Sequence, residues 1–391
     1  MLIEIHIIQN HSPSNLNRDD LGAPKTCLFG GVTRARISSQ CLKRSIRRSD
    51  DFQQAVAKHG AIRTRGLISE IARRAQGNGE PQDALLNRIR KIFEDGGVGV
   101  NESGGDATAT DILFFVPDSA IQQMAEAANA NEPNMADVFA KILNEAAHVP
   151  DIALSGRMTE FKAKGHFANL NFTVEAALSA AHAISTHEVI NEVDYFTAVD
   201  DLATGTGAGH VNEAMFASAC FYKHFCIDWD QLVTNLGGDV ELATTTVRQF
   251  LNAAALATPS GKQKSFAAFN PPEGVLVEIK TERCVPVSYA NAFADPVLPK
   301  SPRGMIGESI ARLGQHVHEI AEGYGIMATR YWFSPGNRYP LTWLDRDEAS
   351  VAKQEKPVVG GAESFSSFET LVTKVMNTVN MDNAATAGAA L

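Results

Sequence analysis

His11 to Asp50 reads HSPSNLNRDDLGAPKTCLFGGVTRARISSQCLKRSIRRSD. From Leu21 to Ser49 it has no acidic residue, while Lys25, Arg34, Arg36, Lys43, Arg44, Arg47 and Arg48 all fall there. The whole chain is acidic, with a formal net charge of −10 over 391 residues. A chain that is negative on average but gathers cations in one segment builds a local field for an anion. At this scale the fitting anion is a phosphate backbone. Ser38-Ser39 is a helix N-cap signal, and the spacing predicts a helix from Gln40 to about Ala57 with Leu42, Ile46 and Phe52 toward a core. Lys43 and Arg47, and Arg44 and Arg48, are then four apart and form adjoining cationic columns. Like charges so placed repel on a lone helix, which calls for a partner. Arg34-x-Arg36 runs into this helix, Ser38 and Gln40 lie near its start, and Arg18 and Lys25 sit on the preceding loop, so one phosphate groove can draw on all of them.

Outward from this stretch, MLIEIHII alternates as a first strand, with Ile3, Ile5 and Ile7 on one face. Residues 60–170 look like an inserted lobe rich in helices, with Leu85, Ile89 and Phe93 at helical spacing and one strand candidate at Ile112–Val116. Val174–His187 fits strand or helix, because its alanines carry no signal. Ala217–Ile227 alternates as a strand, Glu241–Thr258 is an amphipathic helix, and Gly274–Thr281 is a strand. The order is βαββαβ, an α+β fold of the ferredoxin-like kind used by RNA-recognition modules. The connection at Val189–Phe216 is too long for a simple hairpin turn, and a loop of that length in a compact domain is usually functional or disordered. Beyond Lys300 a helix is expected at Arg303–Glu322 and a strand at Met327–Ser334, with the final residues frayed.

Composition removes several function classes. No apolar run reaches a membrane span, and the start lacks a secretory layout. Five cysteines, odd in number and without a Cys-x-x-Cys pair, point to reduced thiols in a cytoplasm. Gly30-Gly31 and Gly205–Gly209 match neither a dinucleotide fingerprint nor a P-loop, so no cofactor is expected. Adjacent aspartates (Asp19-Asp20, Asp200-Asp201) diverge, which suits turn formation better than chelation, and no metal site is expected. His182 and His187, five apart, share no good face for zinc, so they and His11 read as hydrogen-bonded core or turn residues.

Two smaller motifs point to nucleic acid. Tyr195-Phe196, with Thr197 beside them, are neighbours on an extended segment and face opposite ways, so at least one ring is exposed for stacking on bases. Lys262 and Lys264, in the loop before the last strand, offer a second phosphate contact.

HSPSNLNRDD, FGGVTRARISSQCLKRSIRRS, DIALSGRM, AHAISTH, DYFTAVDDL and KQKSFAAFNP, in this order, resemble the CasC family of the RAMP superfamily, the repeated backbone subunits of type I-E CRISPR Cascade. The resemblance spans about Met1 to Phe293. It implies a hand: a palm of RNA-recognition fold at 1–58, 171–188 and 217–380, helical fingers at 59–170, a thumb at 189–216, and a disordered tail at 381–391. It implies phosphate contacts for Arg18, Lys25, Ser38, Gln40, Lys43 and Arg47, and an aromatic wedge at Tyr195-Phe196, where a Tyr stands in place of the family's common Trp. The implied role is binding without chemistry. Copies of the chain line up along one CRISPR RNA and leave its bases to pair with target DNA. RNA-end-binding, large and small Cascade subunits, and indirectly a nuclease-helicase, are the further partners. The rival is a metal-dependent ribonuclease on the same fold, as in type III backbone subunits, with Asp19 or Asp20 as its acid.

Overall fold

The computed structural model describes residues 1–55, 60–75, 82–101, 108–158, 161–198, 210–344 and 355–389. The chain packs as two units: Met1–Phe52, Ser179–Ile227 and Val247–Leu391 form the first, and Gln53–Leu178 with Asp228–Thr246 form the second.

In the first unit, strands β1 (Leu2–Ser14), β2 (Thr26–Phe29), β3 (Val32–Ile37), β4 (Ala183–Ser185), β5 (Glu192–Ala198), β6 (His210–Asp228), β7 (Gly274–Lys280), β8 (Thr329–Phe333) and β9 (Glu363–Phe365) share one sheet. Its order is β9-β8-β7-β1-β6-β4-β3-β2, and β5 and the short strand Leu178–Ala180 pair with β6 off this path. Helices α1 (Ser39–Arg47), α2 (Val240–Leu256, in this unit from Val247 on), α3 (Gln263–Phe266), α4 (Gly304–Tyr324) and α5 (Phe368–Ala389) complete the set used below. β1, α1, β4, β6, α2 and β7 follow one another as βαββαβ, with β7-β1-β6-β4 adjacent, which is the ferredoxin-like arrangement.

β1 lies centrally and is buried on both faces, so its alternation is not apolar against polar in the usual way. Ile3, Ile5 and Ile7 line one face, while Glu4 and His6 are buried on the other. Register sets Glu4 of β1 directly opposite Glu278 of β7. Two buried carboxylates in that position repel, and cations from neighbouring positions offset them. Lys280 bonds Glu4, and Arg330, opposite Glu278 on β8, donates to it through Nε at 2.7 Å. The Tyr289 hydroxyl donates to Glu278 at 2.9 Å, and the Val287 amide donates to Glu4 at 2.7 Å. Beside this polar seam an apolar layer of Ile8, Tyr222, Leu276, Phe293, Ile310, Leu313 and Trp332 packs α4 on the sheet.

The second unit is mainly helical. Leu67, Ile71, Leu85, Ile89, Phe93, Ile121, Met124, Phe139 and Leu143 make its core. Strand Ala61–Thr64 pairs antiparallel with Phe114–Pro117, close to the expected strand. Asn235 Nδ2 donates to the Ala153 and Glu175 carbonyls at 2.9 and 2.7 Å, so Asp228–Thr246 packs here although it lies within the expected second palm segment.

Four elements add to or differ from expectation. The helix expected over 40–57 stops at Arg47, and a new one starts at Asp50, because Ser49 Oγ accepts from the Phe52 amide and caps it. The ambiguous stretch 174–187 holds two short strands, Leu178–Ala180 and β4. The described parts of the long connection, Glu192–Ala198 and His210–Phe216, pair as a two-stranded ribbon of β5 and β6. At the far end α5 continues to Ala389, where fraying was expected.

Removing one member of the buried seam tests it. Burial alone raises the Glu278 carboxyl, but the His6 hydrogen bond and the charges of His6, Arg330 and Lys280 outweigh it and hold it at about 2, against 4.5 unfolded. Its stabilisation is therefore complete above pH 4.5 and is lost as pH falls toward 2. Glu278→Gln is expected to destabilise the first unit at pH 7 by about 3–5 kcal/mol in urea unfolding, since Arg330 loses its partner. The same variant should flatten the acid limb of the stability curve.

Candidate nucleic-acid interface

The start of α1 and the loop before it are fastened together. Ser38 is extended, its Oγ accepts from the Cys41 amide at 3.2 Å as N-cap, and its own amide donates to Asn17 Oδ1 at 2.9 Å. The Asn17 carbonyl accepts from the Lys25 amide, and the Lys25 carbonyl from the Arg36 amide, both at 2.8 Å. Asn15 Nδ2 donates to the Gly22 and Met215 carbonyls at 2.9 and 2.8 Å, which ties the loop to the root of the ribbon. Asp19 Oδ1 accepts from the Leu21 and Ala23 amides, both at 2.9 Å, so this aspartate shapes the turn.

On α1, Leu42 and Ile46 are buried, and Gln40, Lys43, Arg44 and Arg47 fall at i, i+3, i+4 and i+7 on one stripe. Gln40 and Arg44 are exposed, Lys43 and Arg47 half-buried. Arg18 is exposed on the loop and Lys25 half-buried. Lys262 and Lys264 flank Gln263 on a short turn against the same loop. A Cβ at Gly261 would lie 2.5 Å from the Leu16 carbonyl oxygen and 2.6 Å from that of Asn15, so only glycine allows this approach. The Phe266 ring packs on Phe216 at 5.7 Å, close to the ribbon's root.

On the ribbon, Tyr195 faces Glu213 and Phe196 faces Asn212, with Thr197 paired to Val211. Tyr195 is 70% exposed and Phe196 48%. A ribbon of two strands has no layer on either face, so both rings are open where one was required. Asp200-Asp201 and Gly205–Gly209 lie outside the described residues.

Arg34 corrects the sequence reading. It is fully buried and donates to the carbonyls of Phe29, Ser185, Phe293 and Ala294, so it holds the fold and does not face a groove. Arg36 is partly exposed, near His182 and the Thr26 carbonyl. His11 is buried, with Nδ1 at 3.4 Å from the Ala268 carbonyl, and burial followed by the charge of Lys223 depresses it to about 3. His187 Nε2 accepts from the Cys220 amide at 3.1 Å.

Lys223 was missed. It occupies an inward position of β6, in the series Ala217, Ala219, Phe221, Lys223, Phe225, and is 1% exposed. Burial lowers its ammonium to about 8. Burial raises the Cys41 thiol, against the positive charges of Arg44, Lys25 and Lys223, so helix, loop and strand bring cations to one place. A lone Lys in an otherwise apolar alternation was the available signal.

Among the described residues Glu4, His6 and His224 have ligating atoms within 4.8 Å of one another. Lys280 already bonds Glu4, and Glu278 lies 3.3 Å from His6, so charge balance is reached by protein groups. No helix among the described residues is long and apolar enough to cross a membrane.

The chain is similar to one chain of a "CRISPR RNA-guided surveillance complex, pre-nicking", at 29% identity and a TM-score of 0.81 over 97% of this chain and 100% of that one. It is similar to a chain of a second "CRISPR RNA-guided surveillance complex", at 26% identity and a TM-score of 0.72, with the same coverage. No curated protein matches it. The family model described as "CT1975-like protein", Cas_CT1975, matches residues 3–356. The chain belongs to this CRISPR-associated family, in agreement with the resemblance carried by its six sequence blocks.

Proposed function

We propose that this chain is a non-catalytic backbone subunit of a type I-E Cascade surveillance complex, gripping CRISPR RNA by its phosphates. The observation that carries this is the convergence, in an acidic protein, of the Gln40–Lys43–Arg44–Arg47 stripe, the Arg18–Lys25 loop and the Lys262–Lys264 turn beside an exposed aromatic ribbon. The similar solved chains come from RNA-guided surveillance complexes, which supports the same partner and the other subunits of such an assembly.

The chemistry follows from the side chains. Arginine and lysine hold phosphate oxygens by charge-assisted hydrogen bonds that carry no sequence information. Tyr195 and Phe196 stack on or wedge between bases without reading their edges. Watson–Crick edges stay free, so pairing between guide and target DNA supplies specificity. Wedges repeated from copy to copy divide the guide–target duplex into short segments. Of the two candidate acids for RNA cleavage, Asp19 is engaged in its turn, and Asp20 is exposed beside it.

Each phosphate contact to a single strand contributes about 0.7 to the slope of log K against log salt. Lys43→Ala with Arg47→Ala is expected to weaken guide-RNA binding and reduce that slope by about 1.4 in a filter-binding series. An unchanged slope would remove these residues from the interface. Lys223 adds a pH dependence. Its ammonium is at about 8 in the free protein, and a bound polyanion favours the charged form. RNA affinity should therefore fall as pH rises past 8, and Lys223→Met should lose that fall.

A further inference from the structure

Phe269 is 66% exposed, and its neighbours fix that exposure. Ala268 before it is fully buried, and its carbonyl accepts from Gln263 Nε2 at 3.5 Å and lies 3.4 Å from His11 Nδ1. Asn270 after it is tied to β1. Its Oδ1 accepts from the Ser12 amide at 3.1 Å and from the Ser12 hydroxyl at 3.2 Å, and its carbonyl accepts from Gln9 Nε2. With positions 268 and 270 turned to the sheet, the side chain between them is directed to solvent. The turn also passes through left-handed backbone at Lys262 (φ 46) and Ala267 (φ 49), so its docking is kept against a local cost. Phe266, three residues earlier, packs on Phe216. One turn therefore covers one phenyl ring and presents another.

The surroundings narrow the choice of ligand. Lys262 and Lys264 flank Gln263, whose side chain bonds the carbonyl next to Phe269. Gly261 sets the same turn against Asn15 and Leu16, at the base of the loop that carries Arg18 and Lys25. A single exposed apolar side chain is ordinary on a protein surface. A ring held rigidly beside cations suited to phosphates has a more particular use, because every base has a π face that can stack on it. The ligand that carries phosphates and flat rings together is single-stranded nucleic acid.

We propose that Phe269 is a third aromatic contact for the guide RNA, a fixed platform on which one base stacks while Lys262 and Lys264 hold the adjoining phosphates. The site deepens the proposed function and rests on it. It also divides the aromatic work. Tyr195 and Phe196 reach the bases from a two-stranded arm, whereas Phe269 seats a base against the sheet itself and so sets the register of the RNA on each copy.

The full chain is titrated with a short single-stranded RNA over a series of salt concentrations. Phe269→Ala should weaken binding at least about fivefold at every concentration and leave the slope of log K against log salt unchanged, because stacking releases no counterions. Phe269→Leu, apolar but without a π face, should fall with it, and Phe269→Trp should bind at least as well as the parent chain. The side chain lies mostly outside the core, so all three variants should unfold at the parent temperature. With RNA carrying 4-thiouridine, irradiation should give an adduct on the peptide that holds Phe269. Unchanged affinity in both Phe269→Ala and Phe269→Leu would overturn the platform while sparing RNA binding. So would a Phe269→Ala chain that binds short RNA normally but loads fewer copies on a long RNA in native mass spectrometry, since the ring would then meet a second copy of the chain. A parent chain that binds no RNA would overturn the proposed function as well.

Discussion

A buried guanidinium organises the binding face. Arg34 is fully enclosed and donates to four carbonyls from three separate segments: Phe29 on β2, Ser185 on β4, and Phe293 and Ala294 beyond β7. Its bonds among the described residues are to carbonyls, whose dipoles carry its solvation, and burial lowers its pKa. The contact requires close backbone approach. Gly30 has φ +60, and a Cβ there would lie 1.7 Å from the Ala294 carbonyl oxygen. With the β2–β3 hairpin locked this way, β3 delivers Ser38 to its capping position and α1 begins with its cationic stripe in place. The proposed phosphate-binding surface thus depends on a cation that is itself buried and bonded to backbone carbonyls.

Charge is handled oppositely at different places in the first unit. In the seam of β1, β7 and β8, each acid has its base: Glu4 with Lys280, Glu278 with Arg330. Around α1 the segment Leu21–Ser49 gathers seven cations and contains no acidic residue of its own, and Lys223 is buried close by with its ammonium depressed. The first pattern favours one register, because a slipped strand would strand a carboxylate in the interior. The second leaves a positive field that an external polyanion can offset. That difference explains how a chain of net charge −10 suits a nucleic acid partner.

Much of the sheet was legible because its periodicity is strong. Ile3, Ile5 and Ile7 announce β1, and Leu42 and Ile46 set the phase of α1, from which the stripe follows. The ribbon was not legible, since Glu192, Asp194 and Glu213 alternate with residues exposed on both faces and no apolar face marks a strand. Arg34 and Arg36 look alike in sequence. Only the tertiary position of β3 against β4 buries one and leaves the other partly exposed. Asp228–Thr246 packs with the second unit through Asn235, a long-range hydrogen bond that no local pattern encodes. Lys223 was visible as an oddity, but its nearness to Cys41 depends on how α1 packs.

Native mass spectrometry of the chain co-expressed with a CRISPR array and its neighbouring genes tests the central claim most directly. The account predicts one guide RNA carrying several copies of this chain, intact after incubation with magnesium. A chain recovered without RNA, or a single copy on an RNA cut in the presence of magnesium, would contradict it.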